Sequence, residues 1–386
     1  MVVSRRIIVS CARSMVEGCN LRKGDGVVIE GGAHTQELLE EIAFECFKRG
    51  ATPTVIVSSD RYAERVYREI PKQHFSIVPK QYVGLIKAAD TLIFVEDFED
   101  PSIATKFPRD KLQARQKAMV PIYDILYDTK DGKKWLYAGW ATAKAAKSYG
   151  LPTSELEKIV FGGISVPPKT LAALGAKAAR RFKDAEWVHV WDDKGTDFRV
   201  KVDGRRLNID DGLISDYDYR MNDRGSNLPA GELFMAPHEE VGEGTLFCPI
   251  TRDRMSEKMI RDVHLEFKGG KLLLNKVRAA NDVDALIASF KQSQQTDRKK
   301  YKPVRTTNVG ELGIGFNPKI KKAIGYILTD EKVTGTVHVA FGSNNTYGGT
   351  SESVMHWDFV TAPGVNIEVE TLAGKTVRAM SRGKFV

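Results

Sequence analysis

Two periodicities divide this chain. Over roughly the first 130 residues, short apolar runs alternate with stretches of helical spacing. Gly26-Val27-Val28-Ile29-Glu30 predicts a strand. Leu38, Leu39, Ile42, Ala43, Cys46 and Phe47 then recur at the intervals of a helix that ends at Gly50. Pro53 to Val57 and Thr91 to Val95 are the next strands, separated by another helical stretch. Strands alternating with helices predict βαβ units and a mainly parallel sheet. The Gly31-Gly32 pair lacks the G-x-G-x-x-G spacing, which argues against a dinucleotide site. Residues 131–190 are mostly helical in pattern, as Trp135 to Ser148, Thr153 to Lys158 and Pro168 to Asp184. Near Glu186 the period changes to two. Val188-His189-Val190-Trp191 and Phe198-Arg199-Val200-Lys201-Val202 alternate, with Asp203-Gly204 as a predicted hairpin turn. HLEFKGGKLLLNKV predicts a second hairpin turning at Gly269-Gly270, and a helix follows around 282–292. The expected fold is an α/β N-terminal domain with a mainly parallel sheet (1–175) and a β-rich α+β C-terminal domain (176–386).

Composition narrows the class. A chain of 386 residues, 42% hydrophobic and 28% charged, is ordinary for a globular protein with a large core. No apolar run approaches the ~20 residues of a membrane-spanning helix, and the Ile7 to Val9 run is too short for a signal peptide. The expectation is a cytoplasmic protein without a membrane partner. The cysteines at 11, 19, 46 and 248 form no C-x-x-C pair and read as reduced structural thiols. The net charge of +8 first suggests nucleic acid, but the basic residues are dispersed and no aromatic-flanked basic motif accompanies them. No nucleic-acid partner is expected.

The candidate chemistry lies in the C-terminal half. His356-Trp357-Asp358 is the sharpest motif: on a strand, residues two apart face one side, so an imidazole and a carboxylate point together from a rigid edge. Glu232 follows Pro229-Ala230-Gly231 and precedes Leu233-Phe234, which predicts a buried acid on a strand leaving a turn. A buried carboxylate is costly unless it is paired or metal-bound. Glu311 has a similar frame, Gly310-Glu311-Leu312-Gly313-Ile314-Gly315, whose glycines allow close backbone approach. His338 lies in the apolar strand Val337-His338-Val339-Ala340-Phe341, with Asp330-Glu331 before it and Tyr347 after it. Carboxylates with imidazoles suit zinc, cobalt, manganese or non-haem iron. A tyrosine beside a metal can stabilise an oxyanion. His238, in Ala236-Pro237-His238-Glu239, is a further candidate for supporting the site or facing substrate. There is no HExxH, GxSxG or Walker A motif.

These segments resemble the thermophilic metallo-aminopeptidases of the aminopeptidase T and aminopeptidase S type. VEGCNLRKGDGVVIEGG is similar to the family's opening, WLYAGWATAKAAKSYG and DDKGTDFRVKVDGR to its middle, and NLPAGELFMAPH, GELGIGFNP, DEKVTGTVHVAFG and SVMHWDF to its metal-site segments. The resemblance implies two divalent ions (zinc, cobalt or manganese) held by Glu232, Glu311, His338, His356 and Asp358. It also implies catalytic roles for Glu311 as a bridging ligand, Glu331 as general base and Tyr347 toward the oxyanion, a peptide or small-molecule substrate, and a homodimer. The interval from Glu331 to His338 is about two residues longer than the family pattern. Two other chemistries stay open. One is ring cleavage by a single Fe(II), as in the related 2,5-dihydroxypyridine 5,6-dioxygenase, since His338, His356 and Asp358 form a two-histidine, one-carboxylate set. The other is hydrolysis of a different amide by the same metals. Glu232 and Glu311 favour two ions, because a mononuclear iron site does not need them.

Overall fold

The computed structural model describes residues 3–128, 130–253 and 255–386. The chain forms two compact units, Met1–Lys169 with Gly212–Ala230, and Thr170–Asp211 with Gly231–Val386. A single boundary at 175 therefore does not express the return of residues 212–230 to the first unit.

The first unit is built on a five-stranded, all-parallel sheet. Its order is Thr52–Ser58, Gly26–Gly32, Thr91–Val95, Lys134–Ala138, Gly225–Leu228. The expected mixed α/β content with a parallel sheet is present. Val27, Val28, Ile29, Leu92, Ile93 and Leu136 are all buried, as befits strands covered on both faces. Helices Arg5–Gly18, Gln36–Lys48, Lys80–Ala88 and Arg109–Leu126 belong to this unit. One expectation is corrected. The spacing from Trp135 predicts a helix, but Lys134–Ala138 is a strand, and the helix starts only at Ala143, where the Thr142 side chain caps it. The strand exists because Trp135 pairs with Gly225, a partner far along the chain that local spacing cannot reveal. Cys11, Cys19, Cys46 and Cys248 are all buried and free, with burial pushing each thiol up to about 12. Among the described residues no single helix is long and apolar enough to cross a membrane.

The second unit carries two antiparallel sheets. The larger has eight strands, among them Ala185–Trp191, Asp197–Lys201, Glu243–Arg252 and Met259–Lys268. The predicted turn at Gly269-Gly270 joins Met259–Lys268 to Lys271–Leu272. The predicted turn at Asp203-Gly204 does not close a hairpin. The hairpin lies earlier, between Ala185–Trp191 and Asp197–Lys201, where Asp192 Oδ1 accepts from the Lys194 and Thr196 amides at 2.7 and 2.9 Å. Helix Val283–Lys300 extends the predicted 282–292 segment.

The smaller sheet has five strands, labelled in chain order: β1 Asn208–Asp210, β2 Glu232–Met235, β3 Val309–Gly315, β4 Thr336–Gly342 and β5 His356–Val360. They form an antiparallel meander in that same order. Every residue of β3 and β4 is buried. Their alternation sorts polar from apolar positions: Leu312, Ile314, Val337, Val339 and Phe341 alternate with Glu311, Gly313, His338 and Ala340. Behind the sheet Phe290 stacks on Trp357 at 5.7 Å, and Phe341 meets Phe359 at 6.1 Å. The polar face of β4 and β5 thus stands on an aromatic layer.

Candidate metal centre

The period of two places Asp210, Glu232, Glu311, His338, His356 and Asp358 on one face of the meander. Register then brings them together. Asp210 lies opposite Glu232, Glu232 opposite Gly315, Gly313 opposite His338, and Ala340 opposite Asp358. Glu311 continues that register opposite Ala340, two residues along β4 from His338, and the pairing becomes irregular only beyond it, toward Val309. The glycines provide room. A Cβ on Gly313 would lie 1.9 Å from His338 Nε2, and one on Gly315 would lie 2.7 Å from the Glu331 carbonyl. The imidazole occupies the space of a missing side chain, as the Gly-rich frame predicted.

Two ligand triads result. Glu232, Glu311 and His338 each offer an atom within 4.8 Å of the others, and so do Glu311, His356 and Asp358. Glu311 belongs to both. His338 Nε2 lies 3.1 Å from Glu311 Oε1 and 3.4 Å from Glu232 Oε2. His356 Nε2 lies 3.6 Å from Glu311 Oε2 and 3.4 Å from Asp358 Oδ2. The Ser343 carbonyl, 2.8 Å from His356 Nδ1, orients that ring and leaves Nε2 toward the carboxylates. All five predicted ligand residues are therefore in the two triads.

Glu331 and Tyr347 flank them. The Glu331 carboxylate accepts from Lys332 Nζ at 3.0 Å. The Tyr347 hydroxyl lies 3.4 Å from the Gly310 carbonyl, 3.3 Å from the Ser343 carbonyl and 3.5 Å from His356 Nδ1, and its ring meets Phe234 edge-on at 5.5 Å. His238 is turned elsewhere, its ring engaging Asp203 at 3.0 Å.

The electrostatics are those of a site short of cations. Burial pushes the Glu232 carboxyl up to about 8, with Lys332 opposing and Glu331 adding to the rise. Burial alone would lower both histidines. Instead Glu311 and Glu232 raise His338 to about 9, and Asp358 and Glu311 raise His356 to about 10. Protons are held where positive charge is wanted. Tyr347 is kept well above the usual phenol range, chiefly by burial and then by Glu311 and Asp358.

Three residues escaped the sequence reading. Lys332 is fully buried, with Nζ 2.5 Å from Glu232 Oε1 and 3.6 Å from Asp210 Oδ2. In Asp-Glu-Lys it looks like one member of a solvated charge run. Asp210 had a usable signal, the alternation of Asn208 and Asp210 along β1. Glu239, next to the favoured His238, is buried and accepts from Arg205 Nη2 at 2.7 Å, the Thr350 amide at 2.6 Å and Asn344 Nδ2 at 3.1 Å. It pins the loop that carries Tyr347.

The chain is similar to known proteins over nearly its whole length. A model of the thermophilic metalloproteases (M29) matches residues 7–385. Aminopeptidase T of Thermus aquaticus is 24% identical over 96% of this chain and 95% of its own length. Among solved structures, wild-type AmpT from Thermus thermophilus superposes with a TM-score of 0.74 at 19% identity, covering 99% of each chain. The 2,5-dihydroxypyridine dioxygenase of Pseudomonas putida KT2440 superposes with a TM-score of 0.58 at 15% identity, covering 100% of this chain and 98% of its own. The two structural likenesses show a shared fold.

Proposed function

The chain belongs to the thermophilic metalloprotease (M29) family, and from that premise we propose that it is an aminopeptidase that removes N-terminal residues from peptides with two divalent ions. The observation that carries the reading is the pair of triads sharing Glu311. One ion does not need five ligands from five separate positions on one sheet face. Charge supports the same number. Asp210, Glu232, Glu311, Glu331 and Asp358 contribute five negative charges and Lys332 one positive, a balance of −4 that two divalent ions neutralise. Glu232 Oε2 fits this too: it is buried and accepts no hydrogen bond.

Glu232, Glu311 and His338 would hold one ion, and Glu311, His356 and Asp358 the other. When bound, the ions supply Lewis-acid polarisation and a water of lowered pKa. The chain's own groups do the rest. Glu331 takes the proton of the attacking water and passes it to the leaving amine; burial, only partly offset by Lys332, raises it toward the range of a useful base. Tyr347 donates its hydroxyl proton to the developing oxyanion. Its present contacts of 3.3 to 3.5 Å are long enough to be exchanged for a stronger one. The metals proposed are zinc, cobalt or manganese. By the same resemblance the protein is a homodimer, which light scattering would test.

An anaerobic assay tests the reaction. The expected result is release of free amine from short peptides and aminoacyl amides without oxygen. Oxygen-dependent loss of a dihydroxypyridine ring under Fe(II), with no peptide cleavage under any metal, would overturn it in favour of the chemistry of the dioxygenase that shares the fold.

A further inference from the structure

Lys332 presents no surface to solvent. A buried ammonium is costly unless several acceptors surround it. Its Nζ lies 2.5 Å from Glu232 Oε1, 3.0 Å from Glu331 Oε2 and 3.6 Å from Asp210 Oδ2. It is therefore a permanent cation built into the acidic cluster. Its position is lopsided. Glu232 is a member of the Glu232–Glu311–His338 triad and not of the Glu311–His356–Asp358 triad. The ammonium engages one oxygen of Glu232, so only Oε2 remains turned toward His338, at 3.4 Å.

We propose that Lys332 makes the two metal positions unequal, weakening the position formed by Glu232, Glu311 and His338 relative to the one formed by Glu311, His356 and Asp358. The inference rests on the two-ion reading above. Two effects act in one direction. Glu232 is restricted to one donor oxygen, and a fixed positive charge repels the incoming ion. Charges of +1 and +2 separated by ~5–6 Å repel enough to change an affinity about tenfold even in a medium as polar as water. The weaker position would then fill or empty with the ambient metal concentration, while the tighter one stays loaded.

The test is calorimetric titration of the metal-stripped full chain with Mn²⁺, for the unmodified protein, Lys332→Gln and Asp210→Asn, with circular dichroism to verify folding. The unmodified protein should bind two ions in separable steps. Lys332→Gln should tighten the weaker step by about tenfold or more and leave the tighter step nearly unchanged. Asp210→Asn removes a negative charge facing the ammonium and should weaken the same step. Opposite signs are what a charge effect requires. If Lys332→Gln does not fold, the Asp210→Asn result decides alone: a weaker second step supports the proposal, and an unchanged one overturns it. One ion in the unmodified protein and two in Lys332→Gln would support it in its strongest form. Two ions with unchanged affinities in both variants, or weakening by both, would overturn this inference and leave the two-ion reading standing. One ion in all three proteins would overturn both.

Discussion

At the scale of single residues, His338 and His356 do in the metal-free protein what no exposed histidine does: they stay protonated to about 9 and about 10. Glu232, raised to about 8, likewise binds a proton that an ordinary carboxyl would release. For all three the folded chain holds protons more tightly than the unfolded chain. Their contribution to stability is thus present below the unfolded values and is lost as pH rises through the folded ones. The melting temperature of metal-free protein should accordingly fall between pH 6.5 and about 10, the window set by the histidines. Bound metal requires neutral imidazoles and an ionised Glu232, so binding should release about three protons at pH 7 and tighten as pH rises. Calorimetry in buffers of different ionisation enthalpy counts those protons. A count near zero, or a flat metal-free melting profile, contradicts the site's electrostatics.

At the scale of elements, β3 shows how strand chemistry makes a site. Its GELGIG run places Glu311 and Gly313 on the polar face and leaves Gly313 without a side chain opposite His338. Gly313→Ala would put a methyl 1.9 Å from the imidazole nitrogen that faces both glutamates. We expect about 1–3 kcal/mol of destabilisation from overpacking and loss of an ion from the proposed two-ion centre, measured by elemental analysis of the purified variant. Retention of both ions would show that the ring is not held where β3 places it. The loop between β4 and β5 depends on an element outside it. Glu239 joins Arg205, Asn344 and Thr350, and Arg205 Nη1 also donates to the Gly348 carbonyl at 2.7 Å. Glu239→Gln keeps the shape but leaves a guanidinium whose side chain is only 11% exposed without its counter-charge. The expected cost is about 2–4 kcal/mol. Activity should fall more than tenfold, through Tyr347, while metal stoichiometry is unchanged. Loss of metal in this variant would show that the loop supports the ligands themselves rather than the tyrosine.

At the scale of the whole molecule, the charge of the site opposes that of the chain. The protein carries +8 overall, yet five carboxylates and one ammonium converge on one face of a five-stranded sheet. Such a cluster is unfavourable without cations, so stability and metal binding are linked. Adding Zn²⁺ or Mn²⁺ should stabilise the protein by about 2.7 kcal/mol for each site at which the free ion stands at a hundred times the dissociation constant. Thermal melts with and without chelator read that shift. A melting temperature indifferent to metal would argue that protons and Lys332 alone satisfy the cluster.

Local pattern by itself determined much. The alternation of strands and helices to Val95, the change of period near Glu186, the hairpin at Gly269-Gly270 and the same-side pairing of His356 with Asp358 all follow from side-chain direction along one element. The five ligand candidates were legible because each sits in a short apolar or Gly-rich strand where a polar residue is costly. Tertiary structure alone decided how they combine. β2 and β3 pair although residues 236–308 lie between them, and Glu311 serves both triads because its pairing opposite Ala340, itself opposite Asp358, sets it within reach of both His338 and His356. The same holds for the strand at Lys134–Ala138, whose partner is Gly225–Leu228. It holds for Lys332, too. Its neighbours in sequence suggest a solvated surface, and only folding surrounds it with acids from β1, β2 and Glu331. Periodicity records which way a side chain points; which groups meet depends on pairings between distant segments, and their energies are set by the burial those pairings create.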